Sequence, residues 1–135
     1  MTTAAVALQQ AIFSTLTNDA PLVALLSGER VYDEVPARAD FPYIAFAQTT
    51  ERDWSTGSEE GIEHTLTMHV WSRGGGRKEA LDILGAVRSA LNDQPLSLTG
   101  HRLVNLRHEL SEARRDPDGE TYHGIVRFRA VTEHE

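Results

Sequence analysis

The chain contains no cysteine, and this absence removes disulfide scaffolds, Cys-ligated zinc, iron–sulfur clusters and thiol nucleophiles together. Basic residues are scarce too: thirteen Lys and Arg stand against twenty Asp and Glu, a formal net charge of −7. A small domain that reads DNA sequence carries a basic footprint, so this balance argues against that class. No window approaches the roughly 18 consecutive apolar residues of a membrane-spanning helix. The opening MTTAAVALQQAIFSTL lacks the basic segment of a secretory signal, and Gln9 and Gln10 interrupt its apolar run. With no internal repeat or linker, residues 1–135 are expected to form one domain, used in the cytoplasm with no membrane partner.

What is present suffices for a core, at 40% hydrophobic residues in 135. Val6, Leu8, Ile12, Phe13 and Leu16 recur at roughly helical spacing and predict a helix over Ala4–Leu16 with one apolar stripe. A short helical turn follows at Leu22–Leu26, with Asp19 or Ala20 near its cap, Pro21 at its start and Gly28 closing it. Ala80, Leu84, Val87 and Leu91, joined by Ile83, predict a second main helix from about Lys78 to Leu91, ended by Asn92-Asp93-Gln94-Pro95.

Elsewhere the period is two. Ile62, Leu66, Met68 and Val70 form the apolar face of a half-buried strand running to Trp71. Tyr43–Thr50, a short Arg30–Tyr32, a segment with Val104, Leu106 and Leu110 on one side, and Glu120–Thr132 read as further strands. The Pro117-Asp118-Gly119 run supplies the turn between the last two. The expected fold is α+β: a mostly antiparallel sheet of about five strands with two main helices packed on it.

The possible chemistry is thin. His64 and His69 are five apart on one strand, so they face opposite sides and do not share an ion. His64 falls on the apolar face, where a satisfied core histidine is the default reading. His101, His108 and His123 lie on different strands and could converge, but no HxxxH, HExxH or HxH spacing supports a metal centre, and His134 sits in the terminal tail. The Gly74-Gly75-Gly76-Arg77-Lys78 run resembles a phosphate cradle at a helix N-terminus, yet it lacks both GxxxxGK[ST] and GxGxxG. No GxSxG elbow is present. Asp33, Glu34, Asp40, Glu51 and Asp53 read as a solvated acidic rim. No catalytic residue, metal or cofactor is predicted.

Interfaces remain. Ser55–Gly61, with Ser58, Glu59 and Glu60, reads as a mobile, acidic hairpin tip, and Arg73–Lys78 as a mobile basic loop. Arg73, Arg77, Lys78, Arg114 and Arg115 stand out on an acidic molecule. They either meet the acidic face of a neighbour or serve as ordinary solvated charges. Trp54 and Trp71 flank the two loops; Trp54 reads as an interface anchor, and Trp71 as an anchor or a core residue.

Several segments, in order and spacing, resemble the tail-terminator or tail-completion family of long-tailed phages, prophages and gene-transfer agents. They are Asn18-Asp19-Ala20-Pro21-Leu22-Val23-Ala24-Leu25-Leu26, Arg30-Val31-Tyr32-Asp33-Glu34-Val35-Pro36, Phe41-Pro42-Tyr43-Ile44, Val70-Trp71-Ser72-Arg73, Asp116-Pro117-Asp118-Gly119, Tyr122-His123-Gly124 and Phe128-Arg129-Ala130. The resemblance implies a structural, non-enzymatic subunit of a ring, expected to be a hexamer, on the head-proximal end of the tail tube. Such a ring stops tube growth and presents the surface for the head. Its implied partners are copies of itself, the major tail tube protein and a head-completion or connector protein, with DNA passing through unheld. Its implied location is the host cytoplasm during assembly, then the particle neck. The negative charge would suit an acidic wall that does not retain DNA. The alternatives are a head-completion (stopper) neck protein, a small phosphate- or metal-binding enzyme, and an antitoxin-like regulatory module.

Overall fold

Thr3 opens the first helix: its Oγ1 accepts the Val6 N–H at 3.3 Å, and α1 runs Ala4–Thr17. A computed structural model, which describes residues 2–135, buries Ala4, Ala7, Leu8, Ile12 and Leu16 of this helix. Val6 and Phe13, expected on the same stripe, are 47% and 42% exposed. They lie seven apart, about two turns, and make a second apolar line of their own. Asp19 caps α2 (Ala20–Leu26) by accepting the Leu22 N–H at 3.1 Å, with Pro21 in the first turn. The left-handed residue that ends α2 is Ser27, at φ 61°, one position before Gly28. The third helix, α3 (Arg77–Leu91), buries Ala80, Ile83, Leu84, Val87 and Leu91, as its periodicity predicts.

Six strands form one sheet: β1 (Val31–Tyr32), β2 (Tyr43–Asp53), β3 (Gly61–Ser72), β4 (Ser97–Leu98), β5 (His101–Arg115) and β6 (Tyr122–His134). Their order is β1-β2-β3-β6-β5-β4, with β1 parallel to β2 and the other pairs antiparallel. The α+β expectation holds, with one more strand than the five expected. The two-residue β4 is too short to leave an alternating signal.

All three helices contribute to a core on one side of this sheet. Leu8, Ile12, Leu16, Leu22, Leu26, Ile83, Val87 and Leu91 pack with Leu66, Met68 and Val70 of β3 and Val126, Phe128 and Ala130 of β6. Full burial of such side chains contributes about 1.5–3 kcal/mol each. Close approach of α3 depends on Gly124, because a Cβ there would lie 3.2 Å from both Leu84 Cδ1 and Val70 Cβ.

One expectation fails on β5. Of Val104, Leu106 and Leu110, only Leu106 is buried; the others are 43% and 38% exposed, and Leu103 packs on the core instead. Register shifts between Leu103 and Asn105, and between His108 and Leu110, leave Val104 and Glu109 without partners. Each inserted residue exchanges the two faces for everything after it.

The sheet is incompletely bordered. Strand β1 covers β2 only at Ile44 and Ala45, and β4 covers β5 only at His101 and Arg102. Asp93 N–H donates to Leu106 O, and His108 N–H donates to Asn92 Oδ1, both at 2.8 Å, closing the middle of that border. Among the described residues, no strand pairs with the outer sides of residues 47–53 or 110–115.

Replacing Gly124 with Ala is expected to destabilise the fold by about 1–3 kcal/mol in urea unfolding through overpacking. Adding Leu84→Ala in the same chain should return part of that loss; strictly additive losses would show that this contact does not set the helix–sheet distance.

Candidate functional site

The residues singled out in sequence fall at opposite ends of β3, about 36 Å apart for its length. At one end β2 runs on as an open arm, in which every residue from Ala47 through the tip to Glu60 is exposed, while β3 beside it stays paired with β6 along its whole length. Trp54 follows β2 at the base of the tip with half its surface exposed; its backbone N–H donates to Gly61 O, and the Arg129 guanidinium lies 5.2 Å from its ring centroid. The tip makes hydrogen bonds of its own. Thr56 N–H donates to Glu59 O at 2.9 Å, Glu59 N–H to Thr56 Oγ1 at 3.2 Å, and Gly61 N–H to Ser55 Oγ at 3.1 Å. Ser58, Glu59 and Glu60 are all exposed there.

At the other end most of the basic residues are engaged within the chain; Arg77, the first residue of α3, is exposed. Arg73 lies over the Phe41 ring at 4.2 Å, donates to Thr121 Oγ1 at 3.1 Å and stands 3.9 Å from Glu120. Lys78 pairs with Asp82 at 2.7 Å, and Arg114 with Glu112 at 4.0 Å. Arg115 donates twice to Gly119 O. Asp118 organises this turn, accepting from the Glu120 and Thr121 N–H groups and the Thr121 hydroxyl, which holds its carboxyl down at about 2. The glycine run before α3 faces a carboxylate of the chain itself. Ser72 Oγ donates to Glu79 Oε1 at 2.6 Å, and a Cβ on Gly74 would collide with Glu79 at 2.9 Å. An acidic side chain thus sits where the phosphate-cradle reading would put its anion.

His101, His108 and His123 do not converge. His101 bonds to Thr2 O at 3.0 Å, and His108 packs edge-on against Phe128 and bonds to Ser111. His123 instead meets His69, its ring nitrogen 2.9 Å from that of His69, and stacks on Trp71 at 4.0 Å with the planes 2° apart. This cluster lies on the helix-free face and is visible only once β3 and β6 are in register, Trp71 opposite His123. Burial holds both histidines below their ordinary range; Arg114 pushes each further, and His69 does so for His123. Trp71 is neither buried nor free: it is a partly exposed member of this stack. His64 is fully buried on the opposite face, bonded to Thr132 Oγ1 at 2.9 Å, with its Nδ1 unpartnered. Burial lowers its pKa too, against an opposing pull from Glu51.

Alternation places Arg52, Arg102, Arg107, Arg114, Arg127 and Arg129 on the helix-free face, against Glu63, Glu112 and Glu133. Most are paired there: Arg129 donates to Glu63 at 2.5 Å, Arg52 stands 3.9 Å from it, and Arg102 bonds Glu133. On the helical side, α1 and β2 bound an open groove of about 580 Å³ between Val6, Gln9, Phe13, Phe46 and Thr49.

Taken together, these are the properties of a structural assembly subunit: an α+β domain whose distinctive chemistry lies in projections, sheet borders and paired surface charges. The chain belongs to the family described as tail completion protein gp17, whose model matches residues 10–133, and this is a family of structural proteins, not of enzymes. It is 33% identical to the tail completion protein gp17 of Bacillus phage SPP1 over 124 residues, covering 91% of this chain and 90% of that one. Its fold superposes with a TM-score of 0.89 on a chain from the virion of a native gene transfer agent particle, at 31% identity and covering 98% and 99% of the two chains. The solved SPP1 gp17 protein gives 0.63 at 29% identity, covering 92% and 87%.

Four histidines, His64, His69, His108 and His123, are depressed, each chiefly by burial, and together they set a pH dependence. Their unfolded values lie near 6.5, so below that pH the unfolded chain binds more protons than the folded one. Stability is expected to be level above about pH 7 and to fall as pH drops through 6.5. Replacing His123 with Gln should flatten that fall in unfolding measured between pH 8 and 5; an unchanged slope would remove this histidine pair as a cause.

Proposed function

We propose that this chain forms a closed ring, a hexamer, on the head-proximal end of a tail tube. There it ends tube growth and offers the surface to which a head-completion or connector protein attaches. The observation that carries this reading is the near-complete match to a chain of an assembled gene-transfer-agent particle, within a tail-completion family. Physically, a ring needs a heterologous interface whose two surfaces differ, and tube and neck contacts need two different ends. The molecule supplies unlike ends: an acidic exposed arm carrying Glu51, Asp53, Glu59 and Glu60, and a turn-rich end whose basic side chains are mostly paired.

DNA passage constrains how the subunit is oriented. The −7 net charge is absent from the helix-free face, where arginines outnumber glutamates. An acidic wall therefore requires the helical side to face the lumen, and a lumen lined by the other face would be weakly basic. The potential calculated over a ring structure separates the two.

Purified chain mixed with tail tubes of its own particle is expected to cap one end and halt elongation, as seen by electron microscopy. Tubes that continue to grow would contradict the reading, and binding to a head connector without tubes would favour the stopper alternative. Reversing Arg77 and Lys78 to Glu is expected to weaken ring or tube association about tenfold with an unchanged melting temperature. Unchanged association would remove that loop from the interface.

A further inference from the structure

We propose that the open stretch of β2 in one copy pairs, antiparallel, with the open stretch of β5 in the next, so that a shared sheet closes the ring. This inference rests on the ring reading and specifies the contact that makes it. Exposed, unpaired strand borders on a soluble subunit recruit other strands, and folded proteins cover or blunt them. Here β1, β4 and the Asn92–Asp93 contacts cover short pieces only, leaving residues 47–53 on one border and 110–115 on the other. The two uncovered lengths are close, about seven and six residues. They belong to different strands, so joining them makes a head-to-tail contact that can repeat around a ring.

Direction fits without adjustment. Three successive antiparallel pairings separate β2 from β5, so the two strands run in opposite senses. Identical copies placed side by side with their helices on the same side therefore bring β2 of one against β5 of the next in antiparallel sense.

The side chains fit in one register. With Arg52 opposite Glu112, Asp53 meets Ser111, Glu51 meets Ala113, and Thr50 meets Arg114. Arg52 and Glu112 share the helix-free face. Glu51 lies diagonal to Arg115 on the helical side, within reach of a long side chain. An opposite charge thus lies across the joint on each side, directly for Arg52 and diagonally for Glu51, with Arg114 diagonal to Arg52 beside Glu112. On the helical side the incoming Ala113 and the Arg115 stem would lie over the open groove of Val6, Phe13 and Phe46, covering exposed apolar surface.

The register also sets the curvature. Within one chain Glu112 is level, through Ile125 and His69, with Ala45. Across the joint it is level with Arg52, seven residues on but six ladder positions, because β2 carries an inserted residue between Phe46 and Thr49. At about 3.3 Å per residue and 4.8 Å between strands, that step over four strands means a tilt of about 46°. Closed barrels tilt by about 35–45°, so the joint is of a kind that closes rather than one that extends a flat sheet.

The natural chain has no cysteine, so introduced pairs report without background. Two adjacent matched pairs, Thr50→Cys with Arg114→Cys and Glu51→Cys with Ala113→Cys, ensure that one is a closely spaced, non-hydrogen-bonded pair. The control, Thr50→Cys with Leu110→Cys, is four residues out of register, about 13 Å. Each is oxidised with and without tail tubes, and run on denaturing gels beside native mass measurement. A covalent ladder up to the ring's copy number from a matched pair, with none from the control, is expected. Intact rings without a matched ladder, or with an equal ladder from the control, would overturn the shared sheet and leave the ring standing. Absence of rings in every sample would overturn both. In a parallel arm, Arg52→Glu is expected to weaken assembly about tenfold and Glu112→Arg to restore it; failure to restore would count against the register.

Discussion

A sheet that is packed on one face and left open along its borders is the constraint behind the rest of this molecule. The helices satisfy the face carrying Leu66, Met68, Val70, Val126 and Phe128, and Gly124 lets α3 lie close against it. The borders are a different problem, because backbone donors and acceptors there find partners only in water, in another strand or in a covering segment. Two-residue strands and an asparagine side chain cover parts of them. The remaining stretches, the arm beyond Ala47 and the helix-free face are where a structural subunit can meet its neighbours.

Charge is arranged to the same end. The positive residues that stand out in sequence are mostly held by oxygens of their own chain: Arg73 by the Glu120 carboxylate and the Thr121 hydroxyl, Lys78 by Asp82, Arg115 by the Gly119 carbonyl. Exposed pairs of this kind contribute little to stability, about 0–1 kcal/mol. Their effect is to fix where charge can be presented. The excess of acid over base lies off the helix-free face, and this asymmetry ties any account of DNA passage to the orientation of the subunit.

Much of this was legible in the sequence, where local periodicity and burial agree. The alternation of Ile62, Leu66, Met68 and Val70 predicts β3, and the spacing of Ala80, Leu84, Val87 and Leu91 predicts α3. The family resemblance was also legible, in short segments spread along the chain. What escaped depends on register. Two inserted residues on β5 turn Val104 and Leu110 outward, and no propensity marks them. The His69–His123–Trp71 stack joins residues 54 positions apart and exists only through the β3–β6 pairing. Val6 and Phe13 looked like core because a helical stripe about half a turn wide admits them, until small alanines at 4 and 7 took the buried face. The interface residues themselves carry no local signature, since an exposed charge reads the same whether water or a neighbour will meet it.

The most direct measurement is an electron-microscopy map of this chain assembled with tail tubes, at a resolution that separates β-strands. The account predicts continuous strand density from β2 of each subunit into β5 of the next, with Arg52 and Glu112 side by side at every joint. A ring in which both borders face solvent, and the copies meet through their helices alone, would contradict it.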